Sequence, residues 1–573
     1  MCSPRPARRH RSIGPSGCLF ACAAALLAAS GVSAQLRVAQ WNITNWSTSS
    51  VAARGAAFQT AFYGVVPPGL LLAGESMSPD VIVVQEILQS SSNLSVGQAN
   101  LNALVSLLNA APGSPGDWTA APYVNNQGDT GNALLYRAGK ITNVGPTVTL
   151  GVLNTDVGSG ASQSPRDNQR WRVRVAGYSS PAAELYIYSG HFKAGSSSSD
   201  QVRREPEGLR IRASANALPA GAHFLLAADL NVQSSSQTFY DYLTGLNAIG
   251  GDVRSTAAGR FFDPINRPGS WENNSAFRNI HTQEPSTAMD SRHDQIIIGG
   301  ALRDGVGLSY MPAQAGGNIF AAFRSAGTIA GLDWFDPNHS YRCWGNDGES
   351  YNVPLRTGAN TQVGQAIASA LVTTVAGNGH LGVYLDLQVP ARLGAPTGTI
   401  DFGTVALNAP ATQTIQITNA AAIDFSRGGT GFGIEPLGFS FTPTAGFTIQ
   451  QGNGPFTRAA TAPPAQASTF TIALNTSNAG AINGTLTITS NDPDFPTRVL
   501  TLVGSVGSTG GPPTGNFDVN ADGSVTIDDL YAWHAGLGAR DINSDGQINA
   551  ADAALLRTFL RFNEPADITA GRR

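Results

Sequence analysis

The sequence predicts an α/β layered domain, then an all-β sandwich, then a small helical domain built on a duplicated calcium-binding loop. Apolar strands interleaved with helices favour a layered α/β domain at the start of the chain. From about residue 391, alternating strands between Asn, Pro and Gly turns favour a β-sandwich. The predicted segments are a signal peptide (1–34), the α/β domain (35–390), the sandwich (391–507), a linker (508–515) and the calcium-loop domain (516–563).

The first 34 residues have the three parts of a signal peptide. MCSPRPARRHRSIG is basic, CLFACAAALLAA is apolar, and GVSA offers small residues for cleavage after Ala34. We therefore expect a secreted or cell-surface protein. No later stretch has the roughly 18 uncharged apolar residues of a membrane helix, so no transmembrane segment is expected.

The amino-acid composition excludes some classes of protein but does not identify a substrate. Three of the four cysteines lie in the predicted signal peptide, and the mature chain keeps only Cys343, which excludes an intramolecular disulfide. The net charge is −4, and Lys140 and Lys193 are the only lysines. No basic tract indicates nucleic-acid binding by charge.

The α/β domain is assigned from eight apolar runs and two segments with helical spacing. The predicted helices are 93–110 and 200–218, and 304–375 is expected to be a long insertion with little regular structure. The predicted strands are 36–43, 80–87, 132–137, 171–177, 184–192, 223–232, 293–300 and 382–389.

Polar side chains stand where the apolar strands of this domain stop. In LLAADLNV, Asp229 and Asn231 fall on one side of the chain because strand side chains alternate. One such strand end is ordinary, since Asp and Asn also cap loops. Six of them indicate a single polar rim at one edge of the domain. The residues are Asn42, Glu86, His191, Asp229 with Asn231, Asp294 and His380.

The sandwich and linker follow from turn-rich composition. GTIDFGTVALNAPATQTIQITNA (398–420) and GTLTITSNDPDFPTRVLTLVGS (484–505) alternate apolar and polar residues. STGGPPTG then combines flexible Gly and Ser with a stiff Pro512-Pro513 pair, as linkers do.

Two copies of an acidic loop, DVNADGSVTIDD and DINSDGQINAAD, precede apolar helices near the C-terminus. Oxygen ligands at loop positions 1, 3, 5, 9 and 12, a backbone carbonyl at 7 and Gly at 6 are the pattern of a calcium loop. A single copy is compatible with an Asx-rich turn, whereas the duplication favours two calcium ions. The ligand positions are Asp518, Asn520, Asp522, Ser524, Thr526 and Asp529, then Asp541, Asn543, Asp545, Gln547, Asn549 and Asp552.

The blocks W-N-I, V-Q-E, G-N-A-L-L-Y-R, H-F-K-A-G, A-D-L-N and D-Q-I-I lie in this order over most of 36–388. In this they resemble the endonuclease/exonuclease/phosphatase superfamily, the DNase I-like metal-dependent phosphodiesterases. The resemblance implies a four-layer α/β (α+β) sandwich and a catalytic Mg²⁺ or Mn²⁺.

The same resemblance implies roles for the rim residues. Glu86 would be the main metal ligand with Asn42 beside it, and Asp229 would orient or deprotonate the attacking water. Asn231 would donate to the phosphoryl oxygens, and His191 would bind phosphate or move protons.

For the remaining site residues, the resemblance implies that His380 also binds phosphate or moves protons, and that Asp294 holds one ring nitrogen of His380 and favours its imidazolium form. Arg170 is hypothesised to clamp a phosphate group, and the alternative is that it is an ordinary surface arginine. His293 is interpreted as a strand-edge residue.

One position departs from the family pattern. The family usually has Asp immediately before the last His, and this sequence has Gly379 before His380. Either Asn378 supplies an oxygen instead, or the site relies on Glu86 and water. Weaker metal binding and loss of activity both follow as hypotheses.

The two C-terminal regions carry further resemblances. The duplicated loop resembles a type I dockerin, whose loops end in Asp, and this implies docking to a cohesin-type protein. FGTV and LTITSNDPD resemble immunoglobulin-like repeats of exported bacterial proteins.

Three functions are compatible with the sequence. The first is an extracellular, metal-dependent nuclease that cleaves DNA or RNA. The second is a lipid or small-molecule phosphoesterase on the same fold. The third is a catalytically degenerate binding or display protein, which Gly379 suggests.

Overall fold

The computed structural model describes residues 36–90, 93–124, 128–151, 167–246, 251–265, 267–311, 340–375, 377–421, 433–461, 466–507, 515–538 and 540–563. The predicted signal peptide and all but the last residue of the predicted linker lie outside these residues. Within them, no helix combines the length and hydropathy that a membrane span requires.

The described part of the large domain contains fourteen strands and five α-helices. The helices are α1 (Ser50–Tyr63), α2 (Leu94–Asn109), α3 (Ser198–Asn216), α4 (Thr238–Thr244) and α5 (Gly364–Thr373). The strands are β1 (Leu36–Trp46), β2 (Val81–Leu88), β3 (Trp118–Ala120), β4 (Thr130–Arg137), β5 (Ile141–Asn143), β6 (Val148–Leu150), β7 (Asn168–Val175), β8 (Glu184–Ser189), β9 (His223–Asp229), β10 (Phe261–Phe262), β11 (Asp294–Gly300), β12 (Ser309–Tyr310), β13 (Arg342–Cys343) and β14 (Val383–Gln388).

Two seven-stranded sheets pack face to face in this domain. The first has the order β12-β14-β1-β2-β4-β3, with β13 also pairing β14. The second has the order β10-β11-β9-β8-β7-β5, with β6 pairing β7. Strands β1 and β2 of the first sheet contact β9 of the second, so the two sheets share one apolar interior.

Helices cover the outer face of each sheet. Trp41 of β1 packs its ring against Phe58 and Phe62 of α1, and α2 contacts β2, β3 and β4. On the other side, Ser214 of α3 lies 3.1 Å from the hydroxyl of Tyr188 on β8. The order helix, sheet, sheet, helix is the four-layer arrangement predicted from the sequence.

All eight predicted strands and both predicted helices of this domain are present, with ends shifted by a few residues. The expectation for 304–375 is wrong in part. Its described residues include α5, which packs on α1, and the buried Tyr341, Cys343 and Trp344. This segment therefore belongs to the hydrophobic core and does not only decorate it.

The middle region is a two-sheet β structure. Its sheets have the orders β15-β17-β21-β19 and β16-β23-β22-β18-β20, and both contribute to one apolar cluster. The strands are β15 (Leu393–Gly394), β16 (Thr399–Ala406), β17 (Thr412–Asn419), β18 (Leu437–Pro443), β19 (Phe447–Ile449), β20 (Phe456–Arg458), β21 (Ser468–Leu474), β22 (Gly480–Ser490) and β23 (Thr497–Gly507). The described residues here contain no helix, as predicted, whereas the immunoglobulin-like relationship stays a prediction.

The sandwich contacts the large domain through one carboxylate in particular. Asp494 accepts hydrogen bonds from the backbone N–H groups of Ser179 (2.9 Å) and Ser180 (2.7 Å) and from the Ser179 hydroxyl (3.1 Å). Arg392 donates to the Gly177 carbonyl next to this turn. The two domains are thus joined by directed polar contacts as well as by the chain.

The C-terminal region has two helices, α6 (Ile527–Ala535) and α7 (Ala550–Asn563), around a small apolar core. Each helix follows one acidic loop, as the duplicated sequence predicted. Phe517 and Phe559 stack with ring centroids 4.1 Å apart, which closes the two halves on each other.

Candidate active site

The site lies at one edge of the two facing sheets, where β1, β2, β9 and β11 expose polar ends. The pairing of β1 with β2 runs regularly to Asn42 opposite Gln85 and resumes at Trp46 opposite Ile87. Three residues of β1 therefore face the single residue Glu86, whose φ is +65°. Bulges of this kind redirect a side chain at a sheet edge, and here the redirected side chain is the Glu86 carboxylate.

Asn42 links two carboxylates that come from different sheets. Its side-chain N–H₂ donates to Glu86 Oε1 and to Asp229 Oδ2, both at 2.9 Å. The other Glu86 oxygen accepts the backbone N–H of Asn45 at 2.9 Å. Both carboxylates are thereby held in fixed positions at the end of the interface between the sheets.

His191 lies close to the carboxylates of Glu86 and Asp229. Its Nε2 lies 3.4 Å from Asp229 Oδ2 and 3.8 Å from Glu86 Oε1. The chain after β8 keeps His191 there through a bridge to Asp229 and a hydrogen bond from Phe192 N–H to the Asp229 carbonyl at 3.1 Å. His191 therefore shares the cleft with Glu86 and Asp229.

Asn231 sits in the turn directly after β9. Its φ of +48° is in the left-handed region, which Asn tolerates better than most residues. The backbone N–H of Asn231 donates to Asp229 Oδ1 at 3.1 Å, and its side-chain N–H₂ donates to the Phe192 carbonyl at 3.1 Å. Its second side-chain N–H has no acceptor among the described residues and can donate to a ligand.

Asp294 and His380 form a buried pair. Asp294 lies directly opposite Asp229 in the register of β11 with β9, and its Oδ2 is 2.7 Å from His380 Nδ1. Burial alone lowers the pKa of His380, but the charges of Asp294 and Asp229 outweigh it and raise that pKa to about 9. The contact predicted between Asp294 and His380 is present, and His380 is an imidazolium at neutral pH.

Sequence reasoning missed the polar side chains beneath this cluster. Gln40 of β1 donates to Asp294 Oδ1 at 2.8 Å and to Gln85 Oε1 at 2.7 Å, and Gln85 donates to Ser189 of β8 at 3.0 Å. Thr282 Oγ1 accepts the Asp294 backbone N–H at 3.1 Å. Glutamines inside otherwise apolar strands were the available signal, because a buried amide needs a partner.

His293, next to Asp294, is buried at the start of β11. Its backbone carbonyl accepts the Leu230 N–H at 2.8 Å. Burial lowers the pKa of His293 to about 4, with a smaller opposing influence from Asp229. The pKa of His293 therefore lies well below that of His380, and the strand-edge interpretation of His293 stays a prediction.

Arg170 does not join the cluster, and the phosphate-clamp hypothesis is corrected here. Its neighbour Gln169 faces the other sheet, where it accepts a hydrogen bond from Asn132 at 2.7 Å. Because strand side chains alternate, Arg170 faces the α3 layer, where it donates to Ser214 at 2.9 Å and lies over the Tyr186 ring.

Gly379 has no room for the carboxylate that the family pattern places there. A Cβ on Gly379 would lie 2.1 Å from Val375 Cγ1 and 2.3 Å from Val375 Cβ. Asn378 is exposed, and it makes none of the hydrogen bonds described for the cluster. Val375, an apolar side chain, lies where a side chain at position 379 would go, and the alternative that Asn378 supplies an oxygen stays a prediction.

The donor set of the cleft fits a hard divalent cation. The carboxylates of Glu86 and Asp229 meet at the Asn42 side chain, Asp294 lies opposite Asp229, and carboxylate oxygens suit Mg²⁺ or Mn²⁺. Carboxylate oxygens of Asp229 and Asp294 lie within 4.8 Å of each other, whereas a protonated His380 beside them has no free ring nitrogen to bind a metal and can only donate hydrogen bonds. Glu86 is the most accessible of these carboxylates and has no competing ion pair with Arg or Lys among the described residues.

The two acidic loops at the C-terminus share one geometry. In the first, Asp518 Oδ1 and Oδ2 accept the N–H groups of Asp522 (3.1 Å) and Gly523 (3.0 Å). In the second, Asp541 accepts those of Asp545 (3.1 Å) and Gly546 (2.8 Å). Both loop glycines have positive φ, +83° and +82°.

The carboxylate at position 12 of each loop accepts hydrogen bonds from backbone N–H groups near both ends of that loop. Asp529 accepts Val519 N–H at 2.7 Å and Thr526 N–H at 2.8 Å, and Asp552 repeats this with Ile542 and Asn549 at 2.8 and 2.9 Å. The loops are therefore folded alike, with the carboxylates of the predicted ligand positions turned toward each loop's interior.

The chain is similar to several solved structures at low identity. An endonuclease/exonuclease/phosphatase from Beutenbergia cavernae DSM 12333 is 13% identical over 82% of this chain and 99% of its own, with a TM-score of 0.31. The Bacteroides thetaiotaomicron VPI-5482 mannosyl-6-phosphatase is 14% identical over 61% and 99%, with a TM-score of 0.32. The human Nocturnin catalytic domain is 14% identical over 62% and 94%, with a TM-score of 0.31.

No family model matches the sequence, and no curated protein matches it.

Proposed function

We propose that the large domain is a divalent-metal-dependent phosphoesterase. The observation that carries this proposal is the convergence of an accessible acid, a second acid and two imidazoles in one cleft. His191 Nε2 lies 3.4 Å from Asp229 and 3.8 Å from Glu86, and His380 Nε2 lies 3.9 Å from Asp229. Phosphate-ester hydrolysis needs a positive field on the phosphate, a fixed water and a proton donor.

Glu86 and Asn42 would hold the cation, which when bound neutralises the phosphate and favours an activated water. Asn42 now donates to both acids, and its Oδ1 accepts the Thr44 N–H at 3.1 Å. Because only an amide oxygen can bind a cation, Asn42 would do so through Oδ1, with its side-chain amide turned over relative to these hydrogen bonds.

Asp229 is the base that would orient or deprotonate water. Its two oxygens are oriented by Asn42 and by the backbone of Asn231, and it is 1% exposed. A carboxylate fixed in this way can accept a proton from a water at a set position. The second side-chain N–H of Asn231 would donate a hydrogen bond to a phosphoryl oxygen.

His380 would supply positive charge and a proton. Because Nδ1 faces Asp294, its Nε2–H is the donor that a phosphate oxygen or a leaving group would meet. His191, whose Nε2 approaches the same Asp229 oxygen as His380 does, would bind the same phosphate. The Asp294–His380 pair keeps the charge in place through neutral pH.

DNA or RNA is the first substrate class that we propose, because cleavage of a phosphodiester needs this set of groups. One observation favours a smaller phosphoester as a second candidate. In the described loops that carry the site, Lys193 is ion-paired with Asp200 at 3.0 Å, and Arg204 is buried. A non-specific nuclease contacts several phosphates through free Lys or Arg.

The C-terminal loops are proposed to bind two calcium ions, and the chain that follows the predicted signal peptide is proposed to be secreted or held at the cell surface. The shared loop geometry and the duplicated ligand pattern support calcium. A cohesin-type protein is the proposed partner of this dockerin-like region, on the strength of the sequence resemblance alone.

Purified protein incubated with plasmid DNA, RNA and sphingomyelin in Mg²⁺ or Mn²⁺ tests the proposal. We expect Glu86→Gln and His191→Ala each to lower the rate by about 100-fold or more. His223→Ala is the matched control, because His223 is also a buried imidazole but starts β9, whereas Asp229 ends it. Activity equal to that of the unmodified protein in Glu86→Gln, or no cleavage of any substrate over a full metal series, would rule out the proposal.

A further inference from the structure

A buried arginine on α3 connects the two loops that carry His191 and Asn231. Arg204 is fully buried, and one guanidinium nitrogen donates to the carbonyls of Lys193 (2.6 Å) and Gly195 (2.9 Å). Both acceptors lie just after His191. The loop that follows β8 is thus held from below by a helix.

The other guanidinium nitrogen of Arg204 reaches the loop after β9. It donates to Gln233 Oε1 at 3.1 Å and to Gln237 Oε1 at 3.0 Å, and Gln237 also donates to Gln233 Oε1 at 2.7 Å. Gln233 in turn donates to the Asn231 carbonyl at 2.9 Å. We call Arg204, Gln233 and Gln237 the Arg204 network.

We propose that Arg204 is a positioning residue for the proposed phosphoesterase, fixing His191 and Asn231 at the separation that the reaction requires. This inference rests on the proposed function. Arg204 touches neither side chain itself, and it acts through the two backbones. The planar guanidinium presents its donors in a rigid fork, so one side chain can set the spacing of two loops. A displacement of about 1 Å at a catalytic group costs on the order of 100-fold in rate.

The same helix provides a matched control. Arg212 lies two turns further along α3, is also fully buried, and donates to the carbonyls of Leu243 (2.9 Å) and Thr256 (2.6 Å). Its acceptors lie outside the loops that carry site residues. Loss of Arg212 therefore imposes a similar burial and hydrogen-bonding defect without disturbing the spacing of His191 and Asn231.

The test compares Arg204→Met with Arg212→Met in the full chain, using bis(p-nitrophenyl) phosphate and Mn²⁺ below the unfolding midpoint of both variants. We expect Arg204→Met to lower kcat about 100-fold with KM within about threefold, because ground-state binding is retained. Arg212→Met should keep kcat within about threefold of the unmodified protein. Equal kcat values in the two variants would overturn the proposal.

Two further measurements separate this inference from the proposed function. Hydrogen exchange of 192–197 and 230–237 should be faster in Arg204→Met and unchanged in Arg212→Met, and this readout needs no activity. Unchanged exchange in Arg204→Met overturns the positioning role even if the protein is a phosphoesterase. Arg204→Lys should recover part of kcat through its ammonium donors, and a lysine variant no faster than methionine also counts against the role.

Discussion

His380 and Asp294 show how one buried contact sets the charge of a side chain. Their hydrogen bond is 2.7 Å long and lies at the end of the sheet interface, where Asp229 adds a second negative charge. The neighbouring negative charges raise the pKa of His380 above the ordinary value for histidine, although burial acts to lower that pKa. The protonation state of His380 is therefore a property of the folded chain.

The His380 pKa predicts a dependence of stability on pH. Because folding raises the His380 pKa from 6.5 to about 9, protonation of His380 stabilises the folded state. This stabilisation is complete below pH 6.5 and is lost as the pH rises through about 9. We expect the metal-free protein to lose about 3 kcal/mol of unfolding free energy over that window. Asp294→Asn should remove most of this dependence, as measured by urea unfolding at a series of pH values. An NMR titration that places His380 near 6.5 in the unmodified protein would contradict the assignment.

Gly379 is the second residue with a testable consequence. Gly379→Asp alone should not increase activity and should lower the free energy of unfolding by about 1–3 kcal/mol, because its Cβ would collide with Val375. Val375→Ala would not relieve this contact, since the Val375 Cβ itself is 2.3 Å from the added atom. The informative variant is Val375→Gly with Gly379→Asp, compared with Val375→Gly alone, by Mn²⁺ affinity and thermal unfolding. A fully stable Gly379→Asp protein would refute the steric account.

At the scale of elements, irregular ends of strands create the site. The interruption in β1–β2 pairing lets Glu86 turn toward Asn42, and the tight turn after β9 brings Asn231 back to Asp229. Regular strands would alternate these side chains between two faces. Helix α3 contributes through Arg204, which is buried below two of these loops.

The duplicated loops with α6 and α7 form a second element with its own chemistry. We expect calorimetry to give two calcium ions per chain, and calcium at 100 times its dissociation constant to stabilise each loop by about 3 kcal/mol. Asp518→Ala with Asp541→Ala should abolish binding, because both first ligands are lost. Asp528→Ala is the control, since Asp528 is an exposed residue of the first turn of α6 that no predicted ligand position includes. A circular-dichroism melt that calcium does not shift would refute the loop assignment.

For the whole molecule, the sandwich is attached at the end of the large domain remote from the site. Leu36 lines a cavity of about 170 Å³ together with Tyr178 and Arg392, whereas Asn42 lies six residues further along the same strand. At about 3.3 Å per residue, the contact and the cleft are roughly 20 Å apart. The sandwich can therefore hold the large domain without covering the cleft.

This attachment predicts how the domains unfold. Asp494→Ala removes the acceptor of three donors on Ser179 and Ser180, which should cost about 1–3 kcal/mol. We expect scanning calorimetry to resolve separate transitions for the two domains, with phosphoesterase activity unchanged. Asp401→Ala, which removes an acceptor of Gly403 N–H within the sandwich, is the matched control. A single unshifted transition in Asp494→Ala would show that the contact contributes nothing.

Much of the fold could be predicted because its signals are local. Apolar runs marked eight of the fourteen strands described in the large domain and missed six strands of two or three residues, and the repeated loop marked both C-terminal helices. Helix α1 (SVAARGAAFQTAFY) was missed because its small residues give a weak apolar stripe, and α5 was missed inside a segment without obvious periodicity. These two helices are stabilised by tertiary packing, with α1 against Trp41 and α1 and α5 against each other, although the local sequence pattern did not predict them.

By itself the sequence determined which polar residues stand at the ends of apolar strands, since alternation and strand length are properties of neighbouring residues. Only the tertiary structure decided which of those ends meet. It brought Asn42 to Asp229 and Asp294 to His380, turned Arg170 to the outer layer, and placed Val375 where a residue-379 side chain would go. The physical reason is that distances between residues far apart in the chain depend on how two sheets pack, and on one buried arginine between two loops.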